Sequence, residues 1–278
     1  MSLFSRQKQY DIIYSLGSTC AAATYLNRHF LRIQAGPFDW CGNETRHEEF
    51  KWRERLIRSH FAGFMQKENL EFIDGVPGIS PDPNCEFCRD RVYPLFLMPH
   101  DFPVGVPMEE SYPRVKAKYD RRIGRFYQNI AASERVLLVY LTLKETGCDH
   151  TVIKRTCEGI CAEFGKSVDF LLLWHHDGMA PDQAPEKEQL APNITLWRGF
   201  FRSAPEGKEQ NYQGNRKKLD PIFREYSLKG TRWTAFKARS RKLLGRVLSS
   251  FIPVSSWRKK VRRHFIDSEF NRAFIRRN

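Results

Sequence analysis

Arg135-Val-Leu-Leu-Val-Tyr-Leu-Thr142 and Val168-Asp-Phe-Leu-Leu-Leu-Trp174 are two short, almost wholly apolar runs, and the segment between them, Asp149–Phe164, reads as a helix. Apolar runs of this length, bounded by polar segments, are the pattern of strands buried on both faces. Strand, helix and strand in succession favour a right-handed βαβ unit in a parallel sheet. Working outward, Val92–Met98 reads as another strand, and Glu109–Ala132 as a helix with Val115, Tyr119, Ile123 and Phe126 at helical spacing. Upstream lie a strand at 10–16, a helix at 20–30, a loop through Gly36-Pro-Phe-Asp-Trp40 and a helical stretch near 45–64. Segment 68–90 reads as an irregular insertion or short hairpin, 178–192 and 203–218 as exposed loops, and Ile194–Trp197 as one more short strand. The expected architecture is α/β: a mostly parallel sheet with helices on both faces.

In such sheets ligands bind beyond the carboxyl ends of the strands. Cys20 follows the first predicted strand, in Tyr10-Asp-Ile-Ile-Tyr-Ser-Leu-Gly17-Ser-Thr-Cys20-Ala-Ala-Ala-Thr24. A thiol at a helix N-terminus meets unpaired N–H groups and the positive end of the helix dipole, which favour the nucleophilic thiolate. The bland alternative is a small buried hydrophobe packing behind the strand. A nucleophilic cysteine needs a base and a group that orients the base. His100-Asp101 follow Val92–Met98, and His175-His176-Asp177 follow Val168–Trp174, so both reach the same expected edge. His100 is the first candidate base, and His175 or His176 is the reserve. Asp101 orients His100 only if the chain turns between them, because neighbours in an extended chain point apart. Asp39 is the other candidate orienter, with turn bracing or capping as its plain alternative. His100 has a plain alternative too, a loop imidazole bonded to a carbonyl.

Seven cysteines and the polar start Met-Ser-Leu-Phe-Ser-Arg-Gln-Lys point to free thiols in the cytoplasm rather than a secreted disulfide framework. Cys85-Glu-Phe-Cys88 with Cys157 and Cys161 gives only a weak zinc pattern, since cysteines four apart on a helix are commonly core residues. The expectation is therefore no metal and no cofactor. No phosphate-binding glycine loop, H-E-x-x-H or G-x-S-x-G is present.

The same residues carry a family likeness. Tyr10–Cys20, Leu31-Arg32 leading to Gly36-Pro-Phe-Asp-Trp40, His100-Asp-Phe102, Tyr112-Pro-Arg-Val-Lys-Ala-Lys-Tyr119 and Arg121-Arg-Ile-Gly-Arg-Phe126 resemble a bacterial domain-of-unknown-function family described as "putative papain-like cysteine peptidases". The likeness covers about residues 8–175. It implies Cys20 as nucleophile and His100 as base, and offers a papain-like α+β fold as the alternative architecture. A fainter similarity is to capsule-biosynthesis proteins regarded as acyltransferases, and members of the resembled family are associated with cell-envelope glycan synthesis.

The net charge of +14 is a property of one end of the chain. Residues 231–278 hold 14 Lys/Arg and 2 Asp/Glu, whereas residues 1–230 hold 32 and 30. Trp233, Phe236, Leu243, Leu244, Val247, Leu248 and Phe251 recur at three- and four-residue spacing among Lys237, Arg241, Lys242 and Arg246. Beyond Pro253, Trp257, Val261 and Phe265 sit among Arg258, Lys259, Lys260, Arg262 and Arg263. A basic amphipathic helix bearing Trp and Phe is the signature of a helix lying on an anionic membrane surface. A helical pair packed on the domain with its charge solvated is the alternative. Nucleic acid is the weaker rival, since the remainder of the chain is nearly neutral and no nucleic-acid-binding motif is present. No apolar run long enough to span a bilayer exists.

The expectation is an α/β domain over 1–230 with a basic helical tail over 231–278. The domain would be a cysteine peptidase-like hydrolase or thiol-dependent acyltransferase acting on an acyl or peptide-like substrate. It would be cytoplasmic, peripheral on the inner membrane through residues 231–266, and tied to bacterial envelope polysaccharide synthesis. A non-catalytic membrane-peripheral binding protein with a structural Cys20 is the alternative.

Overall fold

The computed structural model describes residues 8–40, 49–75, 82–93, 96–204 and 212–229, with isolated positions 247, 250–252 and 257. Most of the basic tail, residues 41–48 with Cys41, and residues 205–211 thus lie outside the described residues. The strands are β1 (Lys8–Tyr10), β2 (Ile12–Gly17), β3 (Leu70–Ile73), β4 (Cys85–Asp90), β5 (Leu97–Pro103), β6 (Val136–Leu141), β7 (Asp169–His175), β8 (Glu186–Ala191), β9 (Ile194–Gly199) and β10 (Tyr226–Leu228). The α-helices are α1 (Cys20–Arg28), α2 (Glu49–Arg58), α3 (Met108–Ala132), α4 (His150–Phe164) and α5 (Arg216–Phe223).

The central sheet has the order β2-β6-β7-β9-β8, with β2, β6, β7 and β9 parallel and β8 antiparallel at one edge. Successive residues of its inner strands point to opposite faces, and both faces are buried. Leu137, Val139, Leu171 and Leu173 pack with Ala21, Ala22, Tyr25 and Leu26 of α1 and Leu219, Ile222 and Phe223 of α5. Leu138, Tyr140, Leu172 and Trp174 pack on the other side with Phe50 of α2, Val115 and Phe126 of α3, and Ile153 and Cys157 of α4. The fold is α/β with helices on both faces, as the apolar runs predict. A short parallel pair, β1 with β10, ties the end of this domain back to its beginning.

Three expectations are corrected. The strand carrying His100 is shifted from Val92–Met98 to Leu97–Pro103, and it lies in a separate antiparallel sheet, β3-β4-β5, rather than in the parallel one. Antiparallel pairing comes from the insertion at 68–90, which supplies β4 as the partner of β5 and β3 as the partner of β4. Segment 178–192 is not wholly loop: Glu186–Ala191 pairs with β9, its charged side chains being tolerable because β8 is a half-exposed edge strand. The 203–218 loop gives way at Arg216 to α5, whose Leu219, Ile222 and Phe223 recur at helical spacing and are buried. Among the described residues, no helix is long and apolar enough to cross a membrane.

Candidate active site

Only Ser18 and Thr19 separate the end of β2 from the start of α1. Gly17 and Ser18 make this sharp turn with left-handed backbone, φ +82° and +83°. Gly17 meets a second constraint, because a Cβ there would lie 2.8 Å from the Phe38 carbonyl oxygen. Ser18 has a Cβ and holds the same conformation at a cost of about 1 kcal/mol. The surroundings brace it: Ser15 Oγ accepts the Gly17 N–H at 2.9 Å, and fully buried Arg53 donates from Nε to the Leu16 carbonyl at 3.0 Å. Thr19 caps α1 by accepting the Ala21 N–H at 3.2 Å, and Thr24 Oγ1 donates back to the Cys20 carbonyl at 2.9 Å. Cys20 is therefore the first residue of a capped helix at the carboxyl edge of the parallel sheet.

The thiol is partly buried, and burial pushes it above its ordinary value, with its own backbone N–H opposing the rise. That corrects the expectation of a ready thiolate: desolvation outweighs the helix terminus here. Among the described residues no side chain hydrogen-bonds Cys20, so Cys20 and His100 are not in hydrogen-bond contact. What joins them is the Gly36–Trp40 loop. Phe38 of that loop lies against Gly17, and the Trp40 ring stands edge-on to the His100 ring at a centroid distance of 6.2 Å.

His100 is the one exposed residue amid buried Leu97, Met98, Pro99, Asp101 and Phe102 of β5. Its Nδ1 lies 3.1 Å from Asp82 Oδ2, while Asp82 Oδ1 accepts the Asn84 N–H at 3.0 Å. Those two interactions hold the Asp82 carboxyl below its ordinary value, the Asn84 N–H contributing most. An ionised Asp82 accepts a hydrogen bond from Nδ1–H and leaves Nε2 as the lone-pair nitrogen, the tautomer a general base requires. Asp101 does not orient His100. The backbone is extended there, so Asp101 turns to the opposite face and binds Lys118 and, at 2.6 Å, the Tyr119 hydroxyl. Asp39 is fully buried and accepts the Gly36 N–H at 3.0 Å and Arg32 at 2.9 Å, so it braces the loop rather than a histidine.

His175 does reach the carboxyl edge of β7, but its ring is committed elsewhere. Nδ1 accepts the Phe201 N–H at 2.9 Å, while Nε2 lies 2.9 Å from Asp177 Oδ1 and 3.0 Å from Nε of Arg202, which also closes on the Asp177 carboxylate. Complete burial, with the Arg202 charge second, lowers its pKa to about 4. His176 points outward to Glu145 at 2.9 Å. Neither lies in contact with Cys20.

Asp82 is the residue that the sequence did not reveal as part of the site. Asp82-Pro-Asn84 is legible as a turn, but its pairing with His100 depends on how the β4–β5 hairpin folds back. The cysteines of the weak zinc pattern are dispersed: Cys85 and Cys88 lie on β4, and Cys157 and Cys161 on α4. No group of three metal-ligating side chains occurs among the described residues. An open depression of about 400 Å³ on α5, lined by Arg216, Lys217, Asp220, Pro221 and Arg224, includes none of the candidate catalytic residues.

The model of the family described as "Putative papain-like cysteine peptidase (DUF1796)" matches residues 11–151. That span takes in Cys20, Asp39, Asp82 and His100 and leaves out His175. The chain is 26% identical over 140 residues to the uncharacterized protein R408 of Acanthamoeba polyphaga mimivirus, an alignment covering 46% of this chain and 60% of that protein. This relative is viral, so it lends nothing to the expected bacterial origin. No solved structure matches the chain.

Proposed function

This chain belongs to the family described as "Putative papain-like cysteine peptidase (DUF1796)", and from that premise we propose that it is a cysteine-dependent hydrolase with Cys20 as nucleophile and His100 as base. The observation that carries the reading is the Gly36–Trp40 loop, which touches both the Gly17 turn and His100 inside the matched span. Because burial keeps Cys20 protonated at neutral pH, the thiol needs a base at the moment of attack. His100 Nε2 takes the thiol proton as Sγ bonds to the substrate carbonyl carbon, and the carbonyl electron pair moves to oxygen. The tetrahedral intermediate collapses with the proton passing from Nε2 to the leaving group. Water then attacks the thioester with the same base, releasing the acid and restoring the thiol. The Asp82 carboxylate steadies the imidazolium in both steps. The Cys20 N–H, at the start of α1, is suited to the developing oxyanion. Catalytic hydrogen bonds commonly tighten only when substrate binds, so a separated thiol and imidazole are compatible with this route.

Acyl transfer uses the same thioester and differs only in an acceptor replacing water. A tail-anchored enzyme acting on envelope glycan precursors is the version of this reading that employs residues 231–278.

The test is hydrolysis of a panel of fluorogenic peptides and esters, with and without hydroxyl acceptors. Cys20→Ser should abolish turnover, and His100→Gln should lower kcat by about 10²- to 10⁴-fold. Alkylation of Cys20 by iodoacetamide at pH 7, followed by peptide mapping, should slow in parallel in His100→Gln. Turnover that survives Cys20→Ser, or Cys20 alkylation indifferent to His100, refutes the assignment and favours a structural Cys20.

A further inference from the structure

Lys118, Arg122, Arg125 and Asn129 form one stripe along α3, at spacings of four, three and four. Its ends are satisfied: Lys118 by Asp101, and Asn129 by the Tyr14 hydroxyl at 2.8 Å. Arg125 spends its Nε on the Arg121 carbonyl at 3.3 Å. Arg122 is different. Its guanidinium stacks over Tyr119 at 5.3 Å, yet its Nη1 is buried without a hydrogen-bond partner among the described residues. Arg32, from the loop facing this stripe, has the same defect at Nε, although its Nη2 holds Asp39 at 2.9 Å. Both guanidinium groups act electrostatically on the single carboxylate of Asp39. Arg32 also lies over the Trp40 ring at 5.6 Å, and Trp40 abuts His100.

Arg32 pairs with Asp39, the Arg122 charge also acts on that carboxylate, and each arginine presents a buried N–H with no acceptor among the described residues. A buried charged donor left unsatisfied is a costly feature, and arginine pairs of this kind match the oxygens of carboxylates and phosphates. We infer that Arg32 and Arg122 form a binding subsite for an oxyanion group of the substrate, a carboxylate or a phosphate, beside Trp40 and His100. This deepens the hydrolase reading by giving its substrate an anionic class, and rests on it only for the identity of the ligand as substrate.

The experiment uses the full chain carrying Cys20→Ser, so that binding is read without turnover. Inorganic phosphate and acetate are titrated separately, by calorimetry and by following arginine Nε–H signals in ¹H–¹⁵N spectra. Saturable binding of either anion with a shift of the Arg32 Nε–H signal is expected, and which anion binds more tightly tells a phosphorylated substrate from a carboxylated one. Arg122→Gln should weaken binding at least tenfold, Arg122→Lys should weaken it less, and Arg121→Gln, on the exposed side of α3, should leave it unchanged. Absence of saturable binding by both anions overturns the subsite, as does equal weakening by Arg121→Gln and Arg122→Gln. Because these readouts need no catalysis, an inactive Cys20 would not masquerade as a failed subsite.

Discussion

Gly17 is where a single residue governs the geometry of the nucleophile. Its positive φ and the Phe38 carbonyl 2.8 Å from where a Cβ would lie both exclude a side chain. Gly17→Ala should therefore destabilise the fold by about 1–3 kcal/mol, measured as a lowered urea midpoint, through backbone strain and a contact that the braced loop cannot relieve. A midpoint equal to wild type would show that the turn has slack. Cys20 itself was legible because a strand, a glycine and an alanine-rich helix in sequence leave the thiol little choice of position. Its titration was not legible: helix-terminus position is a local feature, whereas the burial that raises it depends on residues distant in the chain. The same holds for Asp82, whose relation to His100 exists only once β4 and β5 have paired.

At the scale of elements, the apolar runs at 136–141 and 169–175 identified the inner strands well, since burial on both faces leaves a strong pattern. β8 and β5 were harder. β8 is an edge strand whose pattern is charged, and β5 reads as a strand but gives no sign of which sheet it joins. The junction of β7 and β9 shows how His175 is held. It joins β7 to Phe201, just past the end of β9, through a neutral imidazole, and Thr142 Oγ1 accepts the His175 backbone N–H at 2.8 Å to include the end of β6. In the unfolded chain this histidine protonates near its ordinary 6.5, whereas in the folded one it resists until about pH 4. The unfolded state thus binds the extra proton between those values, and stability present above pH 6.5 is lost as pH falls toward 4. At about 1.4 kcal/mol per pH unit, the contribution lost is on the order of 3 kcal/mol. Urea midpoints measured from pH 7 to pH 4.5 should fall more steeply for wild type than for His175→Gln. The variant would be weaker at pH 7 but flatter across the range. Parallel profiles would place the acid sensitivity elsewhere.

At the scale of the whole molecule, the decisive feature is the uneven charge. Residues 1–230 are close to neutral, and nearly all of the excess of +14 lies beyond them, where sequence spacing predicts amphipathic helices. Of the few described positions there, Phe251 is 80% and Trp257 67% exposed, large apolar side chains of the kind that bury in a lipid interface. Each Lys or Arg close to an anionic leaflet adds about 1 kcal/mol, so the eleven between 231 and 266 make binding to anionic vesicles the outcome to test. β10 pairs with β1 and ends at Leu228, so a chain cut after residue 230 keeps that pairing. The full chain should sediment with phosphatidylglycerol-rich vesicles and dissociate as salt rises, while residues 1–230 remain in the supernatant with an unchanged urea midpoint. If both forms sediment alike, the tail is not the anchor. If the full chain prefers duplex DNA to vesicles, its charge serves counterion release on nucleic acid instead. A lowered midpoint for residues 1–230 would assign the apolar stripe to packing on the domain, because removing a helical pair seated there exposes the surface it covered.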